Sequence, residues 1–180
     1  MSFRINEFRS SMRNGGLRTN LFEVIVTNPV VPSVDGVLPF RCKAAALPES
    51  NVNEKVLHYM GRPVKYPGNR VYESWRVTII EDEDYAVRDA LEAWNSMMNA
   101  HEGNVNKFPT TEASLYKSLA DVRSFDQNGK LLKTIQLIGV WPQLVGQIGM
   151  GWDNDEIATY DVTFAYDYWQ PTVGVAGIQV

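Results

Sequence analysis

Apolar and polar positions alternate with a two-residue period in several stretches of this chain, and follow a helical period in one. Residues 21–27 (Leu-Phe-Glu-Val-Ile-Val-Thr) are rich in β-branched side chains and stop at Asn28-Pro29, which predicts a strand. Residues 40–46 predict a second, ended by Leu47-Pro48, and residues 71–80 a third, with Val71, Trp75, Val77 and Ile79 at alternate or nearly alternate positions. Residues 119–125 and 130–140 read as strands joined by Asp126-Gln127-Asn128-Gly129, because Asn-Gly accepts the positive φ of a tight turn. Trp141-Pro142 is expected to end the second of these. Residues 155–169 are the longest alternating run. Ala158, Tyr160, Val162, Phe164, Tyr166 and Tyr168 share a face expected in the core, and Asp155, Ile157, Thr159, Asp161, Thr163, Ala165 and Asp167 share an exposed one. Pro171 is expected to stop that strand.

The helical stretch follows Glu81-Asp82-Glu83-Asp84. Val87, Ala90, Leu91, Trp94, Met97 and Met98 recur at three- and four-residue spacing, which predicts one helix over about residues 83–100 with Val87, Leu91, Trp94 and Met98 on its core face. Arg88 and Glu92 lie four apart on the other side, and Gly103 is a plausible stop. Carboxylates favour the positive end of a helix, and Asp is a good N-cap. The acidic run therefore reads as a helix start rather than a metal site.

Between these elements the chain is punctuated by Gly and Pro. Residues 30–39 hold Pro32, Asp35-Gly36 and Pro39 and read as a loop. Residues 51–60 can be extended, whereas 61–70, with Gly61, Pro63, Pro67 and Gly68, cannot be a central strand throughout. About residues 47–70 thus form a long projecting loop or hairpin, and an excursion of that length usually has a binding task. Residues 104–118 are polar and give no clear pattern. The spacing Gly146-x-x-Gly149-x-Gly151 lacks the strand–turn–helix context of a nucleotide loop and reads as a flexible connection.

Residues 1–16 carry Arg4, Arg9 and Arg13 and end in Gly15-Gly16. They read as a flexible N-terminal arm, either a disordered terminus or one that orders against a neighbouring subunit. Residues 17–170 read as a single domain and 171–180 as a C-terminal tail. The sum is a mainly β fold, an antiparallel β-sandwich or partly closed barrel with one packed α-helix.

Composition narrows the chemistry. The 180 residues suffice for one domain with a sizeable core. No apolar run is long enough to span a bilayer, and the first residues lack the apolar core of a signal peptide, so assembly in a cytoplasm is expected. The single Cys42 excludes an intramolecular disulfide and reads as a small buried hydrophobe. A net charge of −4 argues against a sequence-independent DNA binder, which needs a basic patch, but not against a wall that DNA slides past. His58 and His101 lie in no zinc-ligand spacing, and neither a G-x-S-x-G elbow nor a Walker loop is present. A nucleophilic Cys42–His58 pair rests on residue type alone. No catalytic group, metal or cofactor is expected.

Five motifs occur in a telling order: Leu47-Pro48-Glu49; Gly61-Arg62 with Pro67-Gly68-Asn69-Arg70; Trp75; Val87-Arg88-Asp89-Ala90-Leu91-Glu92-Ala93-Trp94; and Tyr166-Asp167-Tyr168-Trp169. In that order and spacing, from about Arg18 to Trp169, the chain resembles the tail tube proteins of contractile-tailed bacteriophages, which are related to the tube ring protein of type VI secretion systems. The resemblance implies a structural virion protein and no enzyme. It implies homohexameric rings that stack into a hollow tube, with each subunit adding strands to a barrel around the channel. Implied partners are further copies of the chain and the tail sheath, baseplate, tape measure and tail terminator proteins. Genomic DNA would pass through the lumen without specific binding, in a virion assembled in the host bacterial cytoplasm. The alternative is the inner tube of a phage-derived contractile injection particle that delivers protein effectors. A small β-barrel hydrolase or binding module would instead be a monomer with a defined pocket.

Closing sheets across subunits removes edge strands, and unlike ring faces stack without limit. The 47–70 excursion is the candidate contact between subunits or rings, through Glu49, Arg62, Lys65 and Arg70. Arg62 and Arg70 either pair with Glu81, Asp82, Glu83 or Asp84 of a neighbour, or both groups are simply solvated. The carboxylates Asp155, Asp161 and Asp167, with no cation on their face, are either lumen lining that repels phosphate or an outer solvated face.

Overall fold

In the computed structural model, which describes residues 4–103, 105–107 and 112–173, one strand belongs to two sheets. This is β7 (Leu131–Val145). Its first part pairs with β6 (Ser118–Phe125) on one side and β9 (Tyr168–Val173) on the other, with Val122 opposite Ile135 and Leu137 opposite Trp169. Its last part, from Trp141, pairs instead with β8 (Thr159–Ala165). The change falls at Gly139, whose φ of 73° suits a residue without a side chain; a Cβ there would run into the Asp167 carboxylate. The path of hydrogen-bonded neighbours runs from β1 (Phe22–Val26) through β6, β7, β8 and β5 (Trp75–Ile80) to β2 (Cys42–Ala45), each pair antiparallel. Its two ends, β1 and β2, are not paired with each other, so among the described residues the sheet does not close into a barrel.

The two halves fold over a shared core. Val24, Val122, Ile135 and Leu137 come from one side and Val77, Ile79, Val162 and Phe164 from the other. The helix α3 (Ala86–Met98) adds Val87, Leu91 and Trp94 to this core, with Met98 half-buried against it. Burial of each large side chain stabilises the fold by roughly 2 kcal/mol. Two hydrogen bonds fix the helix: Trp94 Nε1 donates to the carbonyl of Tyr116 at 2.8 Å, and the buried Asn28 amide donates to that of Ala90 at 3.2 Å. Asn28 lies two residues past the end of β1, so the Asn-Pro stop signal also fastens the helix.

Several expected boundaries move. Residues 40–46 are not all strand: α2 (Leu38–Arg41) is a helical turn with Pro39 in its first turn, where a missing N–H costs nothing, and only Cys42–Ala45 pair. Pro142 does not end β7, because a bulge between Pro142 and Leu144 absorbs it. The 155–169 run is two strands, β8 and β9, broken at Tyr166-Asp167; Asp155 and Ile157 lie in the preceding connection. Pro171 sits inside β9, tolerated because β9 is an edge strand. The helix begins at Ala86 rather than 83. Its N-cap is Tyr85, in the left-handed region, and Asp84 accepts from the Ala86 N–H at 3.2 Å. In the 126–129 turn the positive φ falls on Gly129 alone, while Asp126 Oδ1 accepts from the N–H groups of Asn128 and Lys130.

Within the N-terminal arm, α1 (Ile5–Ser11) is a short helix with every residue exposed. Residues 1–3 of the arm and 174–180 of the C-terminal tail lie outside the described residues, and residues 171–173 belong to β9.

Candidate assembly surface: the projecting hairpin

Residues 47–70 contain a two-stranded hairpin, β3 (Asn51–Tyr59) and β4 (Arg62–Val71), apart from the main sheet. Met60 and Gly61, both with positive φ, make its two-residue turn. The two prolines are accommodated because β4 pairs with β3 alone. Gly68 is required where the ribbon bulges, since a Cβ would approach the Asn53 carbonyl at 2.7 Å.

All nine residues of β3 are exposed, and of β4 only Gly68 and Val71 are even half-covered. The register separates two faces. One carries Leu57 opposite Val64 and Lys55 opposite Tyr66, with Tyr59 opposite Arg62. The other carries Glu54, Val56 and His58 with Pro67, Lys65 and Pro63, and a 2.8 Å ion pair between Lys65 and Glu54. Leu57 is 63% exposed and Tyr59 69%. A two-stranded ribbon with neither face packed and both edges open is marginal by itself in water.

Its root is held firmly. Trp75 Nε1 donates to the carbonyl of Ala46 at 2.7 Å, and Trp169 Nε1 donates to that of Glu49 at 2.9 Å. Tyr72 meets Tyr166 edge-on, with ring centroids 5.9 Å apart, and burial raises the Tyr166 phenol above its usual range. Glu49 thus takes part through its backbone. Neither tryptophan's role was visible in the sequence, where Trp75 reads as an alternating strand position and Trp169 as the end of the closing motif.

The acidic run is organised inside the subunit by a residue that the sequence did not single out. The Arg41 guanidinium lies 3.0 Å from Asp84, 2.9 Å from Asp82 and 3.6 Å from Glu81. Hydrogen bonding to Arg41 holds the Asp84 carboxyl below the usual range. Glu81 is buried, and one of its oxygens and the Tyr160 hydroxyl make no hydrogen bond among the described residues. Burial, then the Glu81 charge, raises the Tyr160 phenol well above its ordinary value. Arg88 stacks 5.2 Å over the Tyr160 ring and bonds Glu92 at 2.7 Å and the Gly146 carbonyl at 3.0 Å. Glu83, Arg62 and Arg70 are exposed and form no ion pair among the described residues.

The three carboxylates expected on one cation-free face are arranged otherwise. Asp161, on the outward side of β8, accepts from the Thr78 hydroxyl at 2.6 Å and lies 4.0 Å from Arg76. Asp167, between β8 and β9, accepts from Lys117 at 2.6 and 2.8 Å. Asp155 is exposed in the loop before β8. The difference follows from the strand break at Tyr166-Asp167 and from cations supplied by distant segments. Cys42 is half-buried with its thiol pushed up to about 11 by burial, while His58 sits out on the hairpin. Among the described residues no three His, Cys, Asp or Glu side chains gather as metal ligands.

Comparison with known proteins places this architecture. Residues 3–172 match the family described as phage tail tube protein. The tail tube protein gp19 of Enterobacteria phage T4 is 34% identical over 155 residues, which is 85% of this chain and 90% of that protein. The tail tube protein of Serratia phage KSP90 is 27% identical over 151 residues, 80% of this chain and 82% of its own. A chain from the sheath–tube complex of an extracellular contractile injection system, PVC, in its extended state shares the fold at a TM-score of 0.56 and 14% identity, covering 95% of this chain and 99% of that one. A chain from the six-fold symmetrised baseplate of the anti-feeding prophage does so at 0.57 and 10%, covering 91% and 98%. The match across nearly the whole length, together with identity above 30% to T4 gp19, establishes that this chain belongs to the phage tail tube protein family.

Proposed function

We propose that this protein is the repeating subunit of the inner tube of a contractile phage tail. Copies associate as hexameric rings, the rings stack inside a sheath, and the product is a conduit for the genome rather than a catalyst. The observation that carries the reading is the hairpin: a ribbon with an apolar face of Leu57, Tyr59, Val64 and Tyr66, unpacked in its own subunit and fixed at its root by Trp75 and Trp169. Such a face is a contact surface between copies. Arg62 at the edge of this face, and Lys65 and Arg70 on the other side of the ribbon, would meet neighbours as well. Glu83 is the member of the acidic run left to answer them, because Glu81 is buried and both Asp82 and Asp84 are tied to Arg41.

Asp161, with Asp155 and Asp167 near its two ends, is proposed for the lumen wall, where carboxylates keep phosphate from sticking. The further partners in this reading are the sheath, baseplate, tape measure and tail terminator proteins, and its place is the virion, assembled in the host cytoplasm. The phage relative at 34% identity favours a virus over an injection particle as owner.

The test is electron microscopy of purified protein, alone and added to baseplates as seeds. Hollow six-fold rings or tubes are expected. A protein that stays monomeric and extends no seed overturns the reading.

A further inference from the structure

The charge of this chain is unevenly placed: the first twenty residues carry four arginines against one glutamate, and the remainder thirteen cations against twenty carboxylates. At 100° per residue, Ile5, Phe8 and Met12 form one stripe along α1 and its C-cap, with Arg4 and Arg9 on its two flanks. The stripe is uncovered: Ile5 is 72% exposed and Phe8 64%. Among the described residues, the arm leading to it is tied to its own subunit farther along, where the Gln127 side chain donates to the Asn14 carbonyl at 2.9 Å.

Several grooves among the described residues offer apolar lining; the one edged by Glu49 and Glu73 also carries Arg76 and lies at the hairpin root, and two others differ in the sign of their rims. One, formed by Leu21, Phe22, Leu47 and Val122, is rimmed by Arg18 and Arg123, the wrong sign for a basic helix. The other is a cleft of about 600 Å³ between the head of α3 and residues 156–158. It presents Tyr85 and Ile157 as apolar surface and is edged by Asp82, Glu83 and Glu156. At its floor, buried Glu81 has one carboxylate oxygen without a hydrogen-bond donor. An apolar strip bordered by carboxylates complements an apolar stripe bordered by arginines.

We propose that α1 of one copy docks in the cleft between α3 and residues 156–158 of a second copy. Phe8 then covers Ile157, and Arg4 and Arg9 meet Glu83 and Glu156. The contact rests on the tube reading above and supplies a second tie between copies beside the hairpin's, with Glu83 within reach of both sets of cations.

The test uses the full chain with Cys42→Ser, Phe8→Cys and Ile157→Cys. Assembled tubes, verified by microscopy, are oxidised and run on a non-reducing gel. A ladder of linked subunits is expected, absent when either new cysteine is omitted. In parallel, Arg4→Glu with Arg9→Glu is expected to slow tube extension from seeds about tenfold, and Glu83→Lys with Glu156→Lys in the same chain to restore it. Tubes that form normally yet give no ladder, together with extension indifferent to the arginines, overturn the docking and leave the tube reading intact. Cross-linking of Phe8→Cys to sheath protein instead of to another copy overturns it too. Failure to form tubes at all, with or without the substitutions, removes both.

Discussion

Trp169 in the last strand donates its indole N–H to the carbonyl of Glu49, 120 positions earlier, at 2.9 Å. With the matching bond from Trp75 to Ala46, this fixes the base of a hairpin whose strands, among the described residues, pair only with each other. Binding energy at the ribbon is then not consumed in ordering its root, the advantage of a preorganised contact.

Trp169→Phe keeps an aromatic ring, smaller than the indole, and removes the donor. The expected loss is about 1 kcal/mol in the unassembled subunit. Hydrogen exchange should quicken selectively over residues 51–71, while β5 and β8 stay protected. Unchanged exchange in the hairpin would show that the bond does not hold it.

Leu57→Ser with Tyr66→Ser should leave the melting temperature of the free subunit nearly unchanged, because both side chains are already in water. Tube extension from seeds should fall sharply. A variant that melts as before and assembles as before would clear the hairpin's apolar face of any role in assembly.

Gly139→Ala forces a side chain into a left-handed backbone and against Asp167. The expected cost is about 2 kcal/mol, read as a drop of roughly 4–8 °C in melting temperature. Asp167→Ala alone loses only an exposed pair with Lys117. In that background Gly139→Ala should cost less than in the natural chain, since the steric part of its penalty has gone.

Arg41 faces both an exposed and a buried carboxylate, and the two can be separated by pH. The Asp84 carboxyl is held below its ordinary 3.8 by Arg41. A depressed carboxyl adds stability above its unfolded value and loses it as the pH falls through the folded one. Asp84→Asn should therefore be slightly less stable than the natural chain at neutral pH, and the gap should close in acid below 3.8. Arg41→Met instead leaves buried Glu81 without its cation, at a cost of about 3 kcal/mol at neutral pH. Equal melting of Arg41→Met and the natural chain would mean that Glu81 does not depend on Arg41.

Asp161→Lys should assemble normally, because the side chain points away from the core, and should slow genome passage if β8 faces the lumen. Infectivity unchanged in virions bearing Lys at this position would move the residue to another face.

The alternation of Val and Ile, the one helical period and the Gly/Pro punctuation of residues 61–70 made the strands, α3 and the projecting ribbon legible in advance. They report local burial, and burial has a period. What stayed hidden was non-local or backbone-borne. Arg41 looked like a strand residue until α2 turned it towards a carboxylate run forty positions on. Pro142 and Pro171 looked like stops because nothing in the sequence announces a bulge or an edge. The Asp155–Asp167 face looked free of cations because Lys117 and Arg76 come from other segments. Glu49 was singled out for its charge, whereas the structure uses its carbonyl.

A tube that is driven forward bears load along its axis. In most sandwiches two sheets resist sliding only through side-chain packing, which yields in small steps. Here β7 runs unbroken through both, so relative slip of the two halves would have to stretch a covalent backbone or strip hydrogen bonds from β6, β8 and β9 together. The bend at Gly139 thereby makes one peptide chain the shear key of the subunit, and stiffness against thrust follows from connectivity rather than from the size of the core.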